Sequence, residues 1–162
     1  MIILGIDPGL ATVGFGVIKR NKNRDFCVID YGCIITRPGV PAGERLQKIH
    51  KELTELIRTH KPDLMSIESI YFFKNLKTAM PVSQAKGVII LAAAQNKIPI
   101  FEVTPLQVKM AVTGYGRAEK KQVQKMVKLL LSLEEKPKDK NKRSDDATDA
   151  LGIAICGGLK IN

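Results

Sequence analysis

The chain is poor in the residues that make a zinc or disulfide framework, and it has no long apolar run. Three cysteines, Cys27, Cys33 and Cys156, are an odd number with no C-x-x-C spacing. That argues against a zinc knuckle and for a reducing compartment, with the cytoplasm as the expected location. The plain reading of all three is small buried side chains. No apolar run approaches ~20 residues, so no membrane span is expected. The N-terminus lacks the basic, apolar and small-residue succession of a secretion signal. No internal repeat is present. Two histidines, His50 and His60, fall in or at the end of a helical stretch and read as surface or helix-end residues.

Acidic residues are scarce too, 16 against 26 basic ones, for a net charge of +10. The imbalance is local. Residues 71–97 hold four lysines and no acid, and residues 104–131 hold six basic residues and one acid, Glu119. A solvated helix face mixes signs; these stretches do not. One-signed patches of this kind are the electrostatic footprint expected for nucleic acid.

Against that background, the placement of the few acids is informative. Asp7 closes the run Ile2-Ile3-Leu4-Gly5-Ile6 just before Pro8-Gly9, the pattern of a central buried strand stopped by a turn. Glu68 interrupts a second strand-like run, residues 64–70, and Asp146 and Asp149 lie one helical turn apart near the C-terminus. A buried carboxylate is costly unless it is paired or holds a metal. Singly, each has an ordinary reading: Asp7 as a turn residue, Asp145 and Asp146 as acids of a helix's first turn. Jointly they suggest an all-oxygen site suited to Mg²⁺ or Mn²⁺.

The 162 residues are expected to form a single domain, 1–162. The periodicity predicts strands over 2–7, 13–19, 26–36, 63–70 and 98–103. Helices are predicted over a stretch bearing Leu46, Ile49, Leu53, Leu56 and Ile57, then over 78–96 and 105–112, then one with Val123, Met126, Val127, Leu130 and Leu131 buried, and last about 145–156. Thr104-Pro105-Leu106-Gln107 has the capping-box form. Residues 78–96 are rich in Ala and Gly, which implies close packing; Pro81 fits there only in the first turn. Residues 132–143 read as an exposed loop. The fold class is therefore α/β, with a mixed five-stranded sheet flanked by helices. Right-handed crossovers place the fourth and fifth strands parallel to the first. Asp7 and Glu68 then meet at the carboxyl ends of neighbouring strands, the edge where open α/β sheets bind ligands. At 100° per residue, Asp146 and Asp149 project beside the stripe of Ala147, Ala150, Leu151 and Ala154.

These motifs resemble, in order and over nearly the whole chain, the RuvC family of Holliday-junction resolvases. The resemblance is carried by Leu4-Gly5-Ile6-Asp7-Pro8-Gly9 with Gly14-Phe15-Gly16-Val17-Ile18, by Ile67-Glu68-Ser69-Ile70-Tyr71 with Lys74-Asn75, and by Gln84-Ala85-Lys86-Gly87. It continues through Gln107-Val108-Lys109, Gly114-Tyr115-Gly116 and Ala118-Glu119-Lys120 to Asp146-Ala147-Thr148-Asp149-Ala150-Leu151. It implies a ribonuclease H-like fold, a homodimer, and Mg²⁺-dependent symmetric nicking of two opposed strands of a four-way DNA junction, in recombination and repair. It also suggests a branch-migration motor as partner. Its catalytic and metal-holding acids fall on Asp7, Glu68, Asp146 and Asp149, with two ions per site and Mn²⁺ as substitute. Asp145, next to Asp146, leaves the third ligand open; position in the motif favours Asp146. The base-stacking aromatic falls on Tyr71, with Phe72 and Phe73 as competitors, and DNA-contacting lysines fall on Lys109 and Lys120. Charge alone adds Lys74, Lys86, Arg117 and Lys121. The implied reaction is in-line attack of water giving a 5′-phosphate and a 3′-hydroxyl. The resemblance leaves open which surface dimerises; the small-residue helix 78–96 is the candidate. Rival readings are a phosphotransferase of the actin and hexokinase type, for which the chain is too short, a non-catalytic junction binder, and a nuclease of the same fold acting on another nucleic acid.

Overall fold

The structure is a computed structural model and describes residues 1–23, 25–69, 76–133 and 143–160. Five strands and five helices follow one another as β1 (Ile2–Asp7), β2 (Thr12–Arg20), β3 (Phe26–Ile35), α1 (Ala42–His60), β4 (Leu64–Glu68), α2 (Leu76–Gln95), β5 (Ile100–Val103), α3 (Pro105–Thr113), α4 (Lys120–Leu130) and α5 (Arg143–Lys160). The strands make one sheet in the order β3-β2-β1-β4-β5. β1 pairs antiparallel with β2 and parallel with β4; β4 pairs parallel with β5. This is the mixed sheet predicted, with the two crossovers in place. Among the described residues, no helix is long and apolar enough to cross a membrane.

The two-residue period of the strands sorts side chains between two cores. Leu4 and Ile6 of β1, Val13 and Val17 of β2, and Met65 and Ile67 of β4 pack with α1 and α2. Ile3, Ile18, Leu64 and Val103 face the other way, toward α3, α4 and α5. By the same alternation, Asp7 and Glu68 fall on the face that carries α5. On α1, Ile49, Leu53 and Ile57 are buried as the stripe predicts.

α5 is the central element, in contact with all five strands and with α3 and α4. It is longer than the predicted 145–156, and every residue from Ala150 to Gly158 is buried. Gly157 and Gly158, just past the predicted end, lie inside it. A Cβ at Gly157 would meet the Ser66 side chain at 2.6 Å, and one at Gly158 would meet Phe26 and Ile3 at 2.8 and 2.9 Å. Close approach to the sheet, rather than termination, explains both glycines. Gly5, Gly14 and Gly16 do the same from the sheet side, under Ala150 and Ala154, Asp146 and Leu151 respectively. The glycine alternation of β2 is thus the seat of α5. Ser66 Oγ, buried, donates to the Ile153 carbonyl at 2.9 Å and fastens the two.

Several other expectations are corrected. Helix α2 begins at Leu76, so Pro81 lies inside the helix beyond its first turn, and the carbonyl four residues before it loses its helical donor. The close packing expected of α2 holds for Ala79, Ala85, Ala92 and Ala93, which are buried, but not for Gly87 and Ala94, which are exposed. On α4, Leu130 falls outside the buried stripe and faces solvent, while Leu131 just past the helix is buried. Of the cysteines only Cys156 is buried; Cys27 is exposed and Cys33 half-buried, because β3 is an edge strand of the sheet. The predicted exposed loop 132–143 falls mostly outside the described residues, at 134–142.

Candidate active site

Parallel pairing sets Ile6 beside Ile67, so the next residues of each strand, Asp7 and Glu68, end side by side. α5 delivers the rest. The Gly14 contact brings the Asp146 backbone down onto β2, and one turn on, Asp149 follows. Asp7, Asp146 and Asp149 each offer a carboxylate oxygen within 4.8 Å of the others. Asp145 is exposed and outside this group, whereas its neighbour Asp146 is within it. Glu68 lines the same cleft without entering the group of three.

The cleft holds about 290 Å³ and is walled by Pro105, Val108 and Lys109 of α3, Lys120 and Val123 of α4, and Ile153 of α5. The capping box anticipated at Thr104 anchors α3: Gln107 N donates to Thr104 Oγ1 at 3.1 Å, and Thr104 N donates to Gln107 Oε1 at 2.8 Å. Apolar walls and crowded negative charge act on the acids. Burial first, then the charges of Glu68, Asp149 and Asp146, push Asp7 up to about 7. Glu68 is raised as well, by burial and then by Asp149.

Lys120 is the positive charge within this group. Its Nζ lies 2.6 Å from Asp149 Oδ2. Burial opposes its charge, but the hydrogen bond and charge of Asp149, with Asp146 and Asp7 behind it, raise its pKa. Gln124, one turn further along α4, donates from Nε2 to Asp149 Oδ1 at 3.0 Å. Both oxygens of Asp149 are therefore engaged from α4. Gln124 does not stand out in the sequence; its i, i+4 spacing from Lys120 is the signal that points to it. Thr36 and Arg45 carry no such signal. Thr36 Oγ1 donates to the Leu10 carbonyl at 2.5 Å and accepts from Arg45 Nε at 2.8 Å, which clamps the turn that follows Asp7.

The basic residues divide. Lys109 and Lys120 line the cleft. Arg117 and Lys121 are exposed beside α4's start. Lys86 projects from α2 and is paired with Glu102 at 2.7 Å, so its charge is already met. Tyr71, with Phe72 and Phe73, and Lys74 lie outside the described residues. His50 bonds Gln95 and His60 bonds Asp30, both away from the acids.

Three converging carboxylates, with the proton affinity of Asp7 raised among them, fit a hard divalent cation, whose charge would relieve their repulsion. Comparison with known proteins points to a nuclease family. The family model for Crossover junction endodeoxyribonuclease RuvC matches residues 3–157. Curated relatives of that name include those of Pelotomaculum thermopropionicum, 52% identical over 156 residues (96% of this chain and 92% of the relative), and Alkaliphilus metalliredigens, 53% identical with the same coverage of both chains. Among solved structures, Thermus thermophilus RuvC in complex with a Holliday junction substrate is similar with a TM-score of 0.86 and 31% identity, covering 96% of this chain and 92% of that one. The yeast mitochondrial Holliday junction resolvase shares the fold at a TM-score of 0.69 and 12% identity, covering 96% of this chain and 77% of that one. With its sheet order, its acidic cluster and a match over nearly its whole length, the chain belongs to the RuvC family of crossover junction endodeoxyribonucleases.

Proposed function

We propose that this crossover junction endodeoxyribonuclease acts as one nuclease domain on four-way DNA junctions, cutting through Asp7, Glu68, Asp146 and Asp149 with Mg²⁺ held among them. The observation that carries the proposal is the convergence of Asp7, Asp146 and Asp149 within 4.8 Å at the carboxyl edge of the sheet. When bound, Mg²⁺ supplies charge neutralisation and activation of water, and Mn²⁺ has the same ligand preference. The protein's own part is positional. Asp7 and Glu68 are held by rigid strand ends, and Asp146 and Asp149 by a helix whose following residues, Ala150 to Gly158, are all buried. Lys120, already among the acids, is placed to meet the phosphate being cut, with Lys109 beside it. Arg117 and Lys121 extend the positive surface outward. Tyr71 keeps the DNA-contacting role that family resemblance assigns it, and Lys74 the one that the charge pattern suggests. Three cysteines with no disulfide between them suit the reducing cytoplasm as the place of action.

A homodimer pairs two such sites with two strands related by the junction's twofold. The face we infer for it is the outer stripe of α2, where Met80 (70% exposed), Gly87 and Leu91 (50% exposed) leave an apolar row uncovered.

The test is cleavage of a mobile synthetic four-way junction by wild type and Asp7→Asn, with and without Mg²⁺. Paired, metal-dependent nicks that vanish in Asp7→Asn, while junction binding persists, are expected. Binding with no cut under any metal would turn the reading to a junction-binding protein. Equal activity on duplex or hybrid would leave a nuclease of another substrate.

A further inference from the structure

We propose that Gln124 is a positioning residue for Asp149: its side-chain amide fixes one carboxylate oxygen so that the other is presented to the cation. Granted that Asp149 holds a metal, as proposed above, its two oxygens are partnered by chemically different groups. Oδ2 receives the Lys120 ammonium at 2.6 Å, and Oδ1 receives Gln124 Nε2 at 3.0 Å. The ammonium carries the same charge sign as a metal ion and competes with one for Oδ2. The amide is neutral. It loses nothing when a cation arrives, and its hydrogen bond to an ionised acceptor is of the stronger, charge-assisted kind. Lys120 and Gln124 are spaced i, i+4 on α4 and so share one face of that helix. The orientation of the helix is fixed by Val123 and Val127, both buried in the core that α5 shares. α4 thus presents one exchangeable and one permanent donor to the same carboxylate. Without the amide, the Asp149 carboxylate is free to turn about χ2, a broad and soft torsion. Gln124 closes that freedom.

Hydrogen-bond partners of metal-ligating carboxylates are worth ~10–100-fold in metal affinity. The experiment measures Mn²⁺ binding to the full chain by the loss of the free-ion paramagnetic resonance signal, and in parallel the Mg²⁺ dependence of junction nicking. Gln124→Met keeps length and shape without the donor; Gln124→Ala is the second variant. Both side chains are compatible with a half-buried helix position, and circular dichroism checks that each is folded. The expected result is Mn²⁺ affinity weakened ~10-fold or more, and the Mg²⁺ midpoint for nicking displaced upward. Junction binding in chelator should be unchanged, with nicking recovered at high Mg²⁺. Mn²⁺ affinity and Mg²⁺ midpoint equal to wild type in both variants would overturn the role of Gln124. Asp149→Asn separates the two levels. If it loses Mn²⁺ binding while the Gln124 variants keep it, only the present inference fails. If Asp149→Asn itself binds Mn²⁺ as wild type does, the assignment of Asp149 to the metal fails and takes this inference with it.

Discussion

Asp7 and Glu68 end neighbouring parallel strands at the same level, each one residue past a register pair, Ile6 and Ile67. Neither can retreat from the other, because both strands are buried up to that point. The repulsion is therefore built into the fold, and α5 adds Asp146 and Asp149 to it. Burying Leu151, Ile153 and Ile155 on the same helix contributes ~1.5–3 kcal/mol each, enough to hold α5 down against that repulsion.

Removing one charge should therefore separate catalysis from stability. Asp7→Asn is expected to lose nicking by ~10³-fold or more, the several kcal/mol of charge stabilisation that a metal centre supplies. The same variant should melt higher than wild type in metal-free buffer at pH 8. Single-turnover nicking and thermal melting check the pair; a lower melting temperature would contradict the repulsion.

The pH dependence has a definite sign. Asp7 is raised from 3.8 to about 7 in the folded protein. The folded state keeps a proton that the unfolded state releases, so metal-free stability falls as pH rises from ~4 through ~7, and the full penalty, of order 4 kcal/mol, applies above that. Glu68, also raised, acts in the same direction. The stability gap between Asp7→Asn and wild type should widen from pH 5 to pH 8 and shrink on adding Mg²⁺. Denaturant melts at several pH values measure it; a gap constant with pH would remove Asp7 as the cause.

Glycines on the two sides of α5 should behave differently. A Cβ at Gly14 runs into the Asp146 backbone, which has no flexible end to move. Gly14→Ala is expected to cost ~3 kcal/mol, the upper end for overpacking, and to displace Asp146, so nicking falls even where the protein is folded. Gly157→Ala presses on the Ser66 side chain instead, at the other end of the helix. It should lower the melting temperature while nicking per folded molecule persists at permissive temperature.

Thr36→Val keeps shape and removes the hydroxyl that joins Arg45 to the Leu10 carbonyl. Thr36 is 3% exposed, so an unmet carbonyl and guanidinium should cost ~1–3 kcal/mol. The turn after Asp7 loosens, and hydrogen exchange at residues 9–11 should quicken. Exchange indistinguishable from wild type would show that the clamp does not restrain the turn.

Local pattern alone determined the strands, most of the helices and the candidacy of the four acids. Burial leaves a direct imprint on residue type, and several carboxylates placed together in apolar settings carry a signal that none of them carries singly. The parallel neighbours β1 and β4 were also legible, because crossover handedness leaves little choice. What only tertiary structure decided is where the helices land on the sheet and which side chains meet there. Asp146, already favoured by its place in the motif, joins the acidic group where α5 lands on Gly14, and Asp145 stays outside it. Gly157 and Gly158 proved to be contact surfaces, since a glycine that ends a helix and one that admits a neighbouring strand look alike in a sequence. Pro81 was carried inside α2, where the rest of the helix offsets one missing hydrogen bond. Gln124 and Thr36 acquired their partners from residues 25 and 26 positions away, a separation over which no local period carries information.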